Sequence, residues 1–102
     1  MSIFIDIIIF LIPYTKQKVV YGLLEFDKQA VGQAIRRLRK ERGLSQEVVS
    51  SFAGLARSHL AMIENGDKQP NFETIWRLAN AFGLYPHELV KLIEEERLRS
   101  TP

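Results

Sequence analysis

Cysteine is absent from this 102-residue chain, which excludes disulfides and thiolate-held metals. Histidine occurs only twice, at His59 and His87, with no neighbours at ligand spacing, so neither implies a metal site. Ser58 and His59 are adjacent rather than poised across a site, which argues against a nucleophile–base pair. No glycine-rich phosphate loop is present. Enzymatic chemistry therefore has almost no support, and no cofactor is implied. Charge of one sign is also scarce: the formal net charge is only +2. Its distribution is more telling. Between Lys28 and Arg42 lie six basic residues against one acidic, whereas Glu94, Glu95 and Glu96 stand together near the far end. Such a polarity can orient a molecule on a polyanion.

Long apolar runs are scarce too. One stands out, IFIDIIIFLI at residues 3–12, broken by Asp6 and stopped by Pro13. A membrane-spanning helix needs about 20 apolar residues, and a secretory signal places basic residues before the run, whereas Lys16 and Lys18 follow it. A membrane role is therefore disfavoured and a cytoplasmic location expected. Its isoleucines and phenylalanines suit a strand, which would need pairing to avoid aggregation. Three readings stand: an element packed on the domain or on a second subunit, a membrane tether, or a stretch upstream of the true start. YTKQKVVYGLLEF, which follows, reads as a short strand or linker. The division expected is an apolar extension over 1–26, a helical domain over 27–96 and a tail over 97–102.

From Asp27 the pattern is helical and well punctuated. Asp27 is a plausible N-cap for a helix with Val31, Ile35 and Leu38 at i, i+4, i+7, ended by Gly43. Its remaining faces carry Arg36, Arg37, Arg39, Lys40 and Arg42, most simply a solvated surface. Ser45 caps a second helix with Val48, Val49 and Phe52 as apolar positions. Gly54 then supplies the positive φ of a tight turn. A third helix runs from about Arg57 to Glu64 with Leu60 and Ile63 inward, ended by Asn65-Gly66. Asn71 caps a fourth, where Ile75, Leu78, Ala79 and Phe82 form a stripe and Trp76 is a core or interface residue. Pro86 suits the first turn of a fifth, which carries Leu89, Val90, Leu92 and Ile93 and dissolves into the sequence EEERLRSTP.

Two short helices joined by three or four residues including glycine form a helix-turn-helix unit. Small residues at Ser50, Ala53 and Gly54 allow close approach, while Val49, Leu55, Leu60 and Ile63 fill the wedge. The third helix is then presented outward, at a width the DNA major groove accepts. Residues 31–89 resemble the phage-repressor and Cro-like (XRE-type) helix-turn-helix family. The words that carry the likeness are IRRLRKERGLSQEVV, AGLARSHLAMIENGDKQP and ETIWRLANAFGLYPHEL. Within that family, the GLSQ and AGLARS segments look most like restriction–modification controller proteins. The fold implied is all-α, a five-helix repressor-like domain behind the apolar extension.

The resemblance also implies roles. Gln46 matches a phosphate-gripping residue at a helix N-terminus, with Ser45 assisting through its hydroxyl. Arg57, Ser58 and Met62 match the face that reaches base edges; the Arg57 fork fits guanine O6 and N7 together. Ser58 suits a base or a phosphate, and His59 either or neither. Met62 departs from the usual polar residue and offers only an apolar contact. Asn65 and Lys68 resemble phosphate contacts, although Asn65 is equally a helix cap and Asp67 stands where the family often has lysine. Arg39 and Glu64 match an ion pair bridging the first and third helices. One short helix reads about four or five base pairs, so a homodimer on a palindromic operator is expected. Leu89, Leu92 and Ile93, with Trp76, are its candidate interface; the alternative is that they complete the monomer core, as at least Leu89 does.

The expected function is a sequence-specific transcriptional regulator binding double-stranded DNA, of the controller or phage-repressor kind. An alternative is an antitoxin that binds both operator DNA and a toxin protein. A third class is a domain that keeps the fold but binds only protein.

Overall fold

The computed structural model describes residues 25–100; the expectations for the apolar run, and the end of the tail at 101–102, lie outside them. Among the described residues the chain forms five α-helices and no strand. They are α1 (Lys28–Glu41), α2 (Gln46–Ala53), α3 (Arg57–Glu64), α4 (Phe72–Ala81) and α5 (Pro86–Arg99). None is long and apolar enough to cross a membrane.

Four of the five helices begin where a side chain is hydrogen-bonded at the N-terminus; α3, which starts after Ala56, has no side-chain cap. Asp27 accepts from the Gln29 N–H at 2.9 Å, Ser45 from Val48 at 3.1 Å and Asn71 from Thr74 at 2.8 Å; each such cap contributes about 1 kcal/mol. For α5, with Pro86 at its first position, the Glu88 carboxylate accepts from the Tyr85 N–H at 2.8 Å.

The helices close around one core. Val31, Ile35 and Leu38 of α1 meet Val49, Leu60, Ile63, Leu78, Phe82 and Leu89. Side chains so enclosed contribute roughly 1.5–3 kcal/mol each. α1 packs on α3 and α5, α2 on α3 and α4, and α4 on α5. Gly32 marks the tightest crossing: a Cβ there would lie 2.2 Å from the Ile63 carbonyl oxygen. The backbones of α1 and α3 therefore touch at that point, and no other residue fits. Gly54, at φ 70°, turns α2 into α3, and Leu55 N–H donates to Ser50 O at 2.8 Å.

Several side chains fall elsewhere than their periodicity suggested. Phe52 is 76% exposed and Val48 also faces solvent. The inward side of α2 is made of Val49, Ser50 and Ala53, which are small enough to lie against its neighbours. Trp76 is 50% exposed and is not core, because Leu78 and Ala79 take the inward positions of α4. Leu89, a candidate interface residue for which the monomer core was the alternative, is wholly buried within the subunit. α5 does not dissolve at the glutamates but continues to Arg99. Glu96 is buried, held by Arg37 from α1 and by Arg99 one turn on.

Candidate nucleic-acid interface

Helical geometry places Arg57, Ser58, Ala61, Met62 and Asn65 along one side of α3, opposite the buried Leu60, Ile63 and Glu64. Arg57, Ser58, Met62 and Asn65 are exposed, and Ala61 lies half-buried among them. His59 is half-buried on the margin of this face. Arg57 forms no ion pair among the described residues, so its five donors are available. Ala61 was not foreseen as part of the face, although it follows Arg57 by four residues, one helical turn. Its methyl group leaves the middle of the face low between the longer side chains.

This face rests on a buried ionic cluster. Arg39 donates to Glu64 through Nε (2.7 Å) and Nη2 (2.8 Å), and through Nη1 to the Leu44 carbonyl at 2.9 Å. Gln46 Nε2 donates to Glu64 Oε1 at 3.1 Å. Arg36 Nε lies 3.5 Å from the same oxygen, and Arg36 Nη2 donates to Asn65 Oδ1 at 3.3 Å. Burial by itself would raise the Glu64 carboxyl. The hydrogen bonds from Arg39 and Gln46, with the charges of Arg39 and Arg36, outweigh it and hold the group below the usual carboxylate range. The hydrogen bonds that Arg39 donates to Glu64 correspondingly raise the guanidinium above its ordinary value. Every described buried side-chain polar atom has a partner, so the cluster is fully satisfied rather than strained.

The candidate phosphate contacts divide accordingly. Ser45 and Gln46 open α2, with the Ser45 hydroxyl oxygen accepting as the cap while its own proton stays available. Gln46 and Asn65, nineteen positions apart in sequence, are brought to the same cluster, on Glu64 and beside it. Lys68 is exposed on the loop after α3, where its N–H and that of Asp67 donate to the Met62 carbonyl. Of the outward arginines of α1, sequence reasoning separated only Arg39 from a solvated face. That Arg36 reaches α3 was missed, since a long side chain on a charged face gives no periodic signal.

The candidate dimer residues are not one patch. Leu92 and Ile93 are half-buried against the core. Trp76 instead joins Phe72, whose ring centroid is 5.9 Å away, and with Tyr85 and Val90 lines an apolar groove of about 750 Å³ between α4 and α5. Lys91 and Glu94 stand at its border. Among the described residues no group of three or more acidic or histidine side chains is placed to hold a metal ion.

Comparison with known proteins gives a consistent picture. The Helix-turn-helix family model HTH_3 matches residues 35–89. An HTH-type transcriptional regulator of Sinorhizobium fredii, y4dJ, is 37% identical over 68 residues, covering 67% of this chain and 88% of that protein. The immunity repressor protein of Bacillus phage phi105 is 40% identical over 70 residues, covering 66% of this chain but only 49% of the repressor. Among solved structures, the restriction-modification controller protein C.AhdI from Aeromonas hydrophila superposes with a TM-score of 0.59 at 37% identity, covering 61% of this chain and 94% of that one.

Proposed function

The chain belongs to the Helix-turn-helix family, of XRE type, and from that premise we propose that it is a sequence-specific DNA-binding transcriptional regulator, working as a homodimer on a palindromic operator. The observation that carries this reading is the exposed face of α3, braced from beneath by the Arg39–Glu64–Gln46 cluster. A reading helix must keep its side chains free while its backbone is held rigidly, since loose positioning loses specificity. In this reading Arg57 addresses guanine, Ser58 and Met62 the neighbouring bases, and His59 the edge of the contact. Ser45, Gln46, Asn65 and Lys68 hold flanking phosphates and set the register. The protein acts by occupying DNA, without chemistry of its own, in the cytoplasm. The relatives described above are a transcriptional regulator, a repressor and a controller. None of them is described as an antitoxin, and the regulator reading is the one retained.

For the dimer we assign the groove formed by Phe72, Trp76, Tyr85 and Val90 rather than Leu89. Around a two-fold axis one copy's Lys91 can face the other's Glu94, so the border is self-complementary. Val90→Glu should shift the mass measured by light scattering from dimer to monomer; an unchanged mass would move the interface elsewhere.

Selection of bound sequences from a random duplex pool tests the whole reading. Enrichment of a two-fold symmetric site is expected, and a pool that emerges unenriched would overturn it.

A further inference from the structure

α3 has a weakness as a DNA-reading helix. Its C-terminal end carries the partial negative charge of unpaired carbonyls, its last turn has no basic residue, and the loop that follows brings Asp67. A phosphate approaching that end would be repelled. The structure supplies a cation from a different helix. The arginines of α1 are sorted by what they face: Arg37 turns to Glu96 of α5, Arg39 to the buried side of Glu64, and Arg42 to the Phe82 carbonyl. Arg36 reaches the end of α3, where its side chain remains 45% exposed.

Two features of that contact point to an anion. First, Glu64 is already matched by Arg39 through two charge-assisted hydrogen bonds, so two guanidiniums surround one carboxylate and a positive charge is left over at the surface. Second, Arg36 takes the Asn65 carbonyl oxygen at 3.3 Å. This turns the amide so that its NH₂, the donor end, is the part left for an acceptor. Phosphate oxygens only accept.

We propose that Arg36 is a phosphate-binding residue that completes the downstream flank of the interface, holding the DNA backbone directly and orienting Asn65 to donate beside it. The inference rests on the DNA-binding reading and adds to it a side chain from outside the helix-turn-helix unit. Arg36 then balances Gln46: each contacts Glu64 Oε1, one from the N-terminus of α2 and one from the face of α1. The backbone grip is thereby built on both sides of the same buried carboxylate.

Measuring affinity of the full chain for a random-sequence duplex across a salt series tests this. Each phosphate neutralised contributes about 0.9 to the slope of log affinity against log salt. Arg36→Gln should lower the slope by about one unit and weaken binding at low salt, with an unchanged melting temperature. Arg36→Lys, which keeps the charge, should restore the slope. Arg37→Gln, removing an equal charge one position away, should leave it alone. A merely structural role for Arg36 would move stability and not the slope. If the wild-type chain binds with a steep slope and Arg36→Gln retains it in full, the inference falls and the DNA-binding reading stands. If the wild-type chain shows no salt-dependent binding, both fall together.

Discussion

Glu64 and Glu96 are each a buried carboxylate held by arginine, and each receives a two-pronged guanidinium from α1. Arg39 and Arg37, the two donors, are only two positions apart. Yet the environments differ sharply: the Arg39 side chain is 11% exposed and the Arg37 side chain 51%. At Glu64 both partners have left water, and a third group, Gln46, ties the pair to α2. At Glu96 the carboxylate is covered but its two arginines remain wet. The lesson is that an ion pair's consequence follows from the burial of both ends. The Glu64 cluster is a structural joint under the proposed reading face, whereas the Glu96 cluster trims the junction of α1 with the end of α5.

The largest expected effect breaks the first joint. Glu64→Ala leaves the Arg39 guanidinium enclosed without its carboxylate, and removal of one member of a buried pair costs about 3–5 kcal/mol. Denaturant unfolding should show a loss of that order. Where the variant still folds, the base preference of its DNA site should be unchanged. An unaltered melting temperature would mean that the cluster is looser than its distances imply.

Acid should erode the same joint gradually. The Glu64 carboxyl ionises at lower pH in the folded protein than in the unfolded chain. Between those two values the unfolded chain binds more protons, so stability rises with pH there. The contribution is complete above the ordinary carboxylate value and is lost as pH falls through the depressed folded value. The Arg37 hydrogen bond depresses Glu96 in the same direction, so both clusters fade together in acid. In Glu64→Gln the acid limb of a stability–pH curve should flatten. An unchanged limb would assign the acid sensitivity to other carboxylates.

Above the Glu64 joint, the proposed reading face should be removable without unfolding. Arg57→Ala strips an exposed side chain that carries no core packing, and its unfolding free energy should stay within about 0.5 kcal/mol of the parent. Operator affinity should fall by about 1–3 kcal/mol with relaxed preference at one base position. A uniform loss across all sequences would make Arg57 a phosphate contact instead.

What could be read from residue order divides along the same physical line. Caps are local, so Asp27, Ser45 and Asn71 announced their helices, and a positive φ could be placed at Gly54 from the turn alone. The Arg39–Glu64 match was legible only through the family likeness, because nothing local links residues twenty-five positions apart. Phe52 was misplaced because Val48–Phe52 and Val49–Ala53 are both i, i+4 pairs on a two-turn helix. Periodicity cannot choose between them, whereas close packing against α3 and α4 admits only the smaller pair. Leu89 was open to both readings, candidate interface and monomer core, for a similar reason: α5 serves the core with one edge and solvent with another, and Leu89 lies on the core edge. Arg36 and Glu96 were hidden inside runs of like charge, where pairing depends on which distant helix lies opposite.

The smallest expected effect belongs to that last case. Glu96 is the third of three consecutive glutamates, and by sequence it is the least distinguished of them. Its removal in Glu96→Ala frees two arginines that already contact water and can rehydrate, so no charge is stranded. The loss of stability should therefore be several-fold below that of Glu64→Ala, and the remaining difference from the parent should shrink in high salt, where wet ion pairs are screened. Glu94→Ala and Glu95→Ala, whose side chains are exposed, should be smaller still. A Glu96→Ala loss as large as that of Glu64→Ala, and insensitive to salt, would show that the junction of α5 with α1 excludes water as thoroughly as the one beneath α3.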